Sequence, residues 1–153
     1  MELNIKKSTL MDVFDLKDRL REDDINELQA LGSNPQKALL RGYIYSNKCY
    51  SVFEEDKIIG MFGYSDFNMP KDTCSIWFLG SEESVKHPIA FCKIGRDFIE
   101  NDALVRYKIA MNRVYTENIK HIKWLDRMGV IFIWDTPIEI NGKQFIEFYK
   151  IRR

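Results

Sequence analysis

The sequence predicts an α/β fold of the α+β type, with a mixed, partly parallel central sheet of about six to seven strands flanked by about four helices. Two observations support this prediction. Apolar strand-like segments alternate with amphipathic helical segments through the second half of the chain, an order that requires crossovers between partly parallel strands. In addition, Ile122, Leu125 and Met128 form the apolar face of a helix, and Gly129 is placed to end that helix directly before a strand.

The amino-terminal third predicts a strand and two helical regions. Apolar and polar residues alternate over Leu3–Lys7, as in a short edge strand. Ser8 or Thr9 can cap the helical region that follows, which has a rough helical period and an expected break near Asp23. Pro35 suits the first turn of a second helix.

Further strands and two further helices are expected in the rest of the chain. The strands lie at about 49–53, 58–64, 73–79, 107–111, 130–134 and 145–151, and the helices begin near His87 and near Asn118. The polar connection between the first two of these strands has the length of a hairpin loop. Between the last two strands, Asn141 and Gly142 form a strong two-residue hairpin signal.

The size and charge of the chain limit its class. With 45% hydrophobic and 30% charged residues, positions 1–153 are expected to form one soluble globular domain. The 23 basic and 23 acidic residues balance, so there is no strong nucleic-acid signal. No apolar run is long enough to cross a bilayer, and the first residues lack the apolar core of a signal peptide. Cys49, Cys74 and Cys92 are scattered, and we expect buried free thiols in a reducing compartment.

The helix near the carboxyl end carries a family resemblance. It resembles the last conserved block of the GCN5-related N-acetyltransferases (GNATs), Asn-x-x-Ala-Ile-x-Leu-Tyr-x-Lys-x-Gly-Phe. Asn118, Ile122 and Gly129 match that block in register, whereas Leu125 stands at the tyrosine and Val130 at the final phenylalanine. The predicted element order is also that of the GNATs. The resemblance implies a GNAT-like fold, acetyl-CoA as the cofactor and transfer of its acetyl group to an amine acceptor.

Several motifs are similar to one branch of this superfamily. Trp77-Phe78-Leu79-Gly80-Ser81, His87-Pro88 and the segment 118–129 resemble a GNAT-related family of tailed-phage proteins, which includes the small internal virion (core) protein of podoviruses. This resemblance implies a phage-encoded protein of the host cytoplasm that is either free or associated with the virion. Its partners would be an acyl-CoA and an amine acceptor, or a host or virion protein.

The GNAT resemblance also implies cofactor contacts. The residues concerned are Trp77, Phe78 and Leu79, whose backbone would pair with the pantetheine arm, Gly80 and Ser81 near the diphosphate, and Asn118 near the pantetheine. GNATs carry Arg/Gln-x-x-Gly-x-Gly/Ala after this strand, because glycines let backbone N–H groups approach the diphosphate. This chain has one glycine there, followed by two carboxylates, so we expect weaker diphosphate binding.

The catalytic candidates are His121, Glu82 and Glu83. A histidine can act as acid or base near neutral pH, and GNAT bases often come from the region of the two glutamates. Leu125 cannot protonate a leaving thiolate as a tyrosine would. The structural alternatives are that the His121 ring bonds a backbone carbonyl or caps its helix, and that the glutamates are solvated in a polar loop.

Structural roles also compete at the other candidate positions. Asn118 is placed to cap its helix, and Trp77, Phe78 and Trp124 have the pattern of core residues as well as of a groove lining. No metal site is expected, because the 2 histidines have no cysteine or patterned carboxylate nearby.

The rival hypothesis is a non-catalytic GNAT-like protein that acts in virion assembly or binds a host factor. An exposed aromatic patch built from Tyr43, Tyr45, Tyr50 or Phe67 would support this rival. A deep cleft between splayed strands with free backbone N–H groups would support the enzyme.

Overall fold

The computed structural model describes residues 2–153 as one seven-stranded sheet with helices on both faces. The strands are β1 (Leu3–Lys7), β2 (Lys48–Glu54), β3 (Lys57–Ser65), β4 (Thr73–Gly80), β5 (Ile109–Tyr115), β6 (Ile131–Ile140) and β7 (Lys143–Ile151). The α-helices are α1 (Leu10–Leu16), α2 (Glu22–Ala30), α3 (Pro35–Tyr45), α4 (Pro88–Phe98), α5 (Leu104–Arg106) and α6 (Ile119–Arg127), with a 3-10 helix at Glu82–Lys86 and a π-helix at Ile99–Ala103. The predicted fold class is confirmed.

The sheet has the order β1-β2-β3-β4-β5-β7-β6, and β4 and β5 are its parallel pair. The remaining neighbours are antiparallel. The sequence pattern suggested more parallel pairing than this, because strand–helix–strand alternation continues to β6. The chain instead returns through the β6–β7 hairpin, so that β7 lies between β5 and β6 and pairs with both in antiparallel fashion.

Turn chemistry fixes the β6–β7 hairpin and the end of α6. Asn141 and Gly142 have φ values of 51° and 78°, as a two-residue turn with positive φ at both central positions requires. Gly129 follows α6 with a φ of 81°, the left-handed conformation that ends many helices. Both expectations from the sequence are confirmed.

The expected break in the first helical region lies earlier than Asp23, between α1 and α2. Leu20 forms an isolated bridge there with Ser81, and the Arg21 N–H donates to the Gly80 carbonyl oxygen at 2.8 Å. These contacts with the end of β4 take the backbone out of the helical conformation. They also bring the start of α2 against the carboxyl end of β4.

A hydrophobic core lies on each face of the sheet. Met61 and Phe62 are neighbours in β3 and therefore point to opposite faces. Met61 packs with Leu16 and Leu39 beneath α1 and α3, while the Phe62 ring meets the Phe98 ring of α4 at 4.7 Å between centroids. Full burial of each such side chain contributes roughly 1.5–3 kcal/mol, so the helices are held to both faces.

Two further expectations concern the thiols and the membrane. Cys49, Cys74 and Cys92 are free; Cys74 is buried and the other two are partly exposed. Burial raises the pKa of the Cys74 thiol to about 12. Within residues 2–153, none of the helices combines the length and apolar character that a membrane span needs.

Candidate functional site

A V-shaped gap opens between β4 and β5. The two strands pair from Thr73 only as far as Ser75, which lies opposite Met111, and then diverge. At the point of divergence, Asn112 Nδ2 donates to the Ile76 carbonyl oxygen at 2.6 Å. β3 continues to hold β4, and β7 continues to hold β5, up to the ends of both strands. The gap therefore has two rigid walls.

An apolar cavity of about 380 Å³ occupies this gap. Trp77 and Phe78 point into it from opposite faces of β4. The Trp77 indole donates to Ser46 Oγ at 2.8 Å on one face, and on the other the Phe78 ring lies 5.4 Å from that of Phe91 and 5.1 Å from that of Trp124. The cavity thus passes through the sheet, with an aromatic wall on each side.

Backbone hydrogen-bonding groups of β4 face the gap at every second residue. The Ile76 carbonyl accepts from Asn112, and the Gly80 N–H donates to Asp24 Oδ2 at 3.0 Å, so both residues direct their polar groups away from β3. Phe78 lies between them with the same orientation. Its N–H and C=O have no partner among the described residues, so they are free to pair with an extended ligand.

Gly80 and Ser81 use their backbone donors within the protein. The Gly80 N–H is held by Asp24, and the Ser81 N–H donates to the Ile59 carbonyl oxygen at 3.0 Å. A Cβ on Gly80 would lie 2.7 Å from Ser84 Oγ, so only glycine fits between β4 and the 3-10 helix. The glycine here permits close packing, and neither residue lines the apolar cavity.

A second cavity of about 250 Å³ lies beside the start of α4 and is lined by cations. Its basic lining residues are Arg21, Lys120, Lys123 and Arg127, and it has no carboxylate in its lining in the part of the chain that the structure describes. Arg21 is buried and bonds Asp24 at 2.6 Å, but its Nε has no hydrogen-bond partner in the described structure. Phe78, Phe91, His121 and Trp124 line this cavity and the apolar one, so the two form one cleft.

The basic lining was missed at the sequence level, although a signal existed. Lys120, Lys123 and Arg127 are spaced i, i+3 and i+7 on α6, which places them on one helix face. Positive charge comes from α6 rather than from a glycine-rich loop.

Glu82 and Glu83 point away from both cavities. Glu83 accepts a hydrogen bond from Lys57 Nζ at 2.5 Å, which together with local backbone and Ser81 hydrogen bonds lowers its pKa to about 2. Glu82 accepts from the Glu22 N–H at 3.2 Å. Neither residue lines the cleft, so the structure does not bring them to the other candidate residues.

His121 lies where the two cavities join. Its Nδ1 is buried and has no hydrogen-bond partner among the described residues. Burial lowers the pKa of the imidazole to about 4, an effect that the Asp24 carboxylate partly opposes. The bond to a backbone carbonyl, one of the structural alternatives, is not formed by Nδ1. A neutral imidazole with an open nitrogen therefore faces the cleft at pH 7.

A half-buried carboxylate, Glu27, lines the apolar cavity from α2. Its Oε1 accepts from the Tyr115 N–H at 2.7 Å and from Asn118 Nδ2 at 3.5 Å. Desolvation raises the pKa of Glu27 to about 7, and the nearby Asp24 carboxylate acts in the same direction. Such a group can accept and release a proton near neutral pH. No sequence signal marked Glu27, because its site is formed with residues about 90 positions later in the chain.

Asn118 occupies the position before α6, but its side chain makes no capping hydrogen bond. It is 1% exposed, its Nδ2 faces Glu27, and its Oδ1 has no partner in the described structure. Asn118 also lines a third, polar cavity of about 500 Å³. The Asn118 side chain thus connects Glu27, which lines the apolar cavity, with this polar cavity.

Comparison with known proteins identifies the architecture. No protein-family model matches the chain. No curated protein sequence matches it either. A GNAT-family acetyltransferase from Streptococcus pneumoniae superimposes with a TM-score of 0.63 at 12% identity over 99% of this chain and 100% of that one. The chain has the GNAT fold.

Two further structures with the same fold contain ligands. An acetyltransferase from Bacillus subtilis in complex with CoA has a TM-score of 0.64 and 16% identity, over 99% of this chain and 100% of that one. AAC(6')-Ib in complex with ribostamycin and coenzyme A has a TM-score of 0.71 and 13% identity, over 99% and 94%. At these identities the comparison shows a shared fold.

The departure from the GNAT motif at Leu125 lies inside the cleft. Leu125 is 2% exposed and lines the apolar cavity. No hydroxyl therefore reaches the gap from the position where the GNAT motif has tyrosine. His121, one helical turn earlier, lines the same cavity and supplies a polar group from this helix.

Proposed function

We propose that this protein is an N-acetyltransferase, a single acyltransferase domain over residues 1–153, that transfers the acetyl group of acetyl-CoA to an amine. The observation that carries this proposal is the continuous cleft, whose apolar part lies between β4 and β5 and whose outer part is lined by cations. Acyl-CoA matches these two parts of the cleft, because its thioester arm is uncharged and its diphosphate is anionic. The GNAT-fold structures that hold CoA support the proposal.

The free backbone of Phe78 would pair with the amides of the pantetheine arm, as an added strand would. The phosphates would lie toward Lys120, Lys123 and Arg127, beside the amino terminus of α4. This arrangement assigns the phosphates to α6 and not to Gly80 and Ser81. It removes the objection raised by Glu82 and Glu83, because both carboxylates are turned away from the cleft.

Glu27 is the proposed general base. Its unbonded carboxylate oxygen takes a proton from the substrate ammonium, either directly or through one water. The neutral amine nitrogen then attacks the thioester carbonyl; the C–N bond forms, the C–S bond breaks, and the leaving thiolate takes up a proton. His121 is neutral and cannot lend a proton without becoming an anion, so water supplies that proton. Holding both reactants in the narrow gap provides the proximity that this reaction needs.

The test is release of free thiol from acetyl-CoA in the presence of simple amines, with CoA binding followed by calorimetry. We expect micromolar CoA binding and amine-dependent thiol release that rises with pH through about 7, the pKa of Glu27. Absence of heat at millimolar CoA would overturn the proposal. A matched exposed variant, Glu139→Gln, is expected to retain activity, since Glu139 lies on the outer strand β6.

The second candidate is a catalytically silent protein that binds a host or virion partner. Tyr45 and Phe67 favour it, because their rings stack at 4.7 Å while the residues remain 43% and 52% exposed. Arg41 lies over the Tyr45 ring at 5.2 Å. Tyr45→Ala and Phe67→Ala would weaken that partner's binding and leave thiol release unchanged if the surface and the cleft serve separate purposes.

A phage origin and action in the host cytoplasm, with or without virion association, are proposed for both candidate functions. They are supported by the motif at 77–81, by His87-Pro88 and by the segment 118–129. Mass spectrometry of purified virions would test the association directly, since a packaged protein remains after nuclease treatment and banding. Its absence from virions would restrict the protein to the infected cell.

A further inference from the structure

We propose that the amine acceptor is a small diamine or polyamine, and that the polar cavity beside Glu27 binds its second ammonium group. The inference rests on the proposed acetyl transfer, since it names the acceptor of that reaction. The support for it is the chemistry of the residues that line this polar cavity. The cavity is formed by α2, the end of β5, the start of α6 and the β6–β7 turn.

The lining of this cavity of about 500 Å³ is rich in oxygen acceptors. Its polar residues are the carboxylates Asp23 and Glu117, the amides Asn26, Gln29, Asn118 and Asn141, the Tyr115 hydroxyl and the cation Lys143. Within residues 2–153, Ala30 is its sole aliphatic lining residue. A hydrophilic ligand with several N–H donors suits such a lining, and an apolar acceptor does not.

Asn118 points independently to a ligand that donates hydrogen bonds. The residue is 1% exposed, and its Nδ2 is directed at Glu27, so the unpaired atom is the acceptor Oδ1. A buried carbonyl oxygen without a partner is unfavourable, and an ammonium group would satisfy it. An N–H donor of a bound amine would therefore satisfy Oδ1.

The spacing of the carboxylates favours two ammonium groups over one. Asp23 and Glu27 are four residues apart on α2, which places them on the same helix face about 6 Å apart along the axis. Glu27 faces the apolar cavity where transfer would occur, while Asp23 lines the polar one. The Asp23 carboxylate has no hydrogen-bond partner among the described residues, whereas Glu117 accepts from the Tyr115 hydroxyl.

Nearby cations do not cancel the preference of this cavity for an ammonium group. Arg21 is already paired with the Asp24 carboxylate, at 2.6 Å. Among the described residues, Lys143 is the single cation that lines the polar cavity, against two carboxylates. The reacting amine would thus lie at Glu27, and the distal ammonium would lie between Asp23 and Asn118.

The experiment compares butane-1,4-diamine with butan-1-amine, which has the same carbon chain and lacks the second amine. Each is titrated by calorimetry into protein saturated with CoA, and each is assayed for thiol release from acetyl-CoA. We expect the diamine to bind about 10-fold tighter or more, as a charge-assisted hydrogen bond implies. Asp23→Asn is expected to remove most of that difference and to leave the monoamine unchanged.

Two further variants keep the test decisive. Glu117→Gln changes the other carboxylate and is expected to narrow the same ratio, so a folding defect in one variant does not end the experiment. The control is Asp72→Asn, which makes the same charge change in an exposed turn at the opposite end of β4. Asparagine tolerates the φ of 60° at this position. This variant is expected to keep the full ratio of diamine to monoamine affinity. Equal affinities for diamine and monoamine in CoA-bound protein would overturn the inference and leave acetyl transfer standing. Failure of CoA itself to bind would overturn both.

Discussion

Replacing Glu27 with glutamine separates the stability of the fold from its proposed chemistry. The carboxyl pKa rises from 4.5 to about 7 on folding, because the group loses water and gains a nearby negative charge. A raised carboxyl pKa means that the folded state binds the proton more tightly than the unfolded state does. The cost of ionising Glu27 is therefore absent below pH 4.5, grows between pH 4.5 and 7, and is constant above that.

The size of this effect follows from the shift, which corresponds to about 3 kcal/mol at 1.36 kcal/mol per pKa unit. Glutamine keeps an oxygen that can accept from the Tyr115 N–H, which bonds Glu27 Oε1 at 2.7 Å. We therefore expect Glu27→Gln to raise the free energy of unfolding by about 1–3 kcal/mol at pH 8 and to have little effect at pH 4.5. In a chain of this length, each 1 kcal/mol corresponds to about 2–4 °C in Tm.

Catalysis is expected to change in the opposite direction. Removal of a general base lowers kcat/KM by about 10²–10⁴-fold and abolishes its rise through pH 7. The measurements are urea unfolding at pH 4.5 and pH 8 and a pH profile of thiol release, with Glu139→Gln as the control. A Glu27→Gln protein that keeps the wild-type pH profile, or one that is no more stable than wild type at pH 8, would refute this reasoning.

Three more predictions follow from the same geometry. Lys123→Glu is expected to weaken CoA binding about 10-fold or more in calorimetry, because Lys123 lines the cationic cavity. The control is Lys37→Glu on the exposed face of α3, which is expected to leave CoA binding unchanged. Equal losses of affinity in the two variants would show that the cationic cavity is not the phosphate site. Glu83→Gln is expected to keep kcat/KM within about twofold, because its carboxylate bonds Lys57 outside the cleft, and a larger loss would return Glu83 to the catalytic candidates. Gly95→Ala is expected to lower the free energy of unfolding by about 1–3 kcal/mol, since a Cβ would lie 2.1 Å from Met128 Sδ, and an unchanged urea midpoint would show that the Met128 side chain moves aside at no cost.

Local signals in the sequence determined much of the fold. Asn141-Gly142 predicted the β6–β7 turn because only residues that tolerate positive φ suit it, and Gly129 predicted the end of α6 for the same reason. The apolar run ending at Leu79 predicted the strand that forms one wall of the gap. In each case a few neighbouring residues carry the information.

The site depended on contacts that a linear pattern does not contain. Glu27 resembles any solvent-facing glutamate of α2 until the fold brings Tyr115 and Asn118 against it. The sequence pattern placed the break between α1 and α2 too late, because the break depends on the bridge between Leu20 and Ser81, two residues that are far apart in the sequence. Asn118 was expected to cap α6, but tertiary packing turns its side chain to Glu27.

Amide hydrogen exchange at Phe78, with and without CoA, tests the central claim most directly. In the free protein, the Phe78 N–H faces the gap without a partner, while those of Trp77 and Leu79 face β3. We predict that the Phe78 amide exchanges faster than its two neighbours and becomes protected at saturating CoA, because the ligand pairs with β4 as an added strand. A Phe78 amide that is already as protected as its neighbours, or that saturating CoA leaves unchanged, would contradict the account.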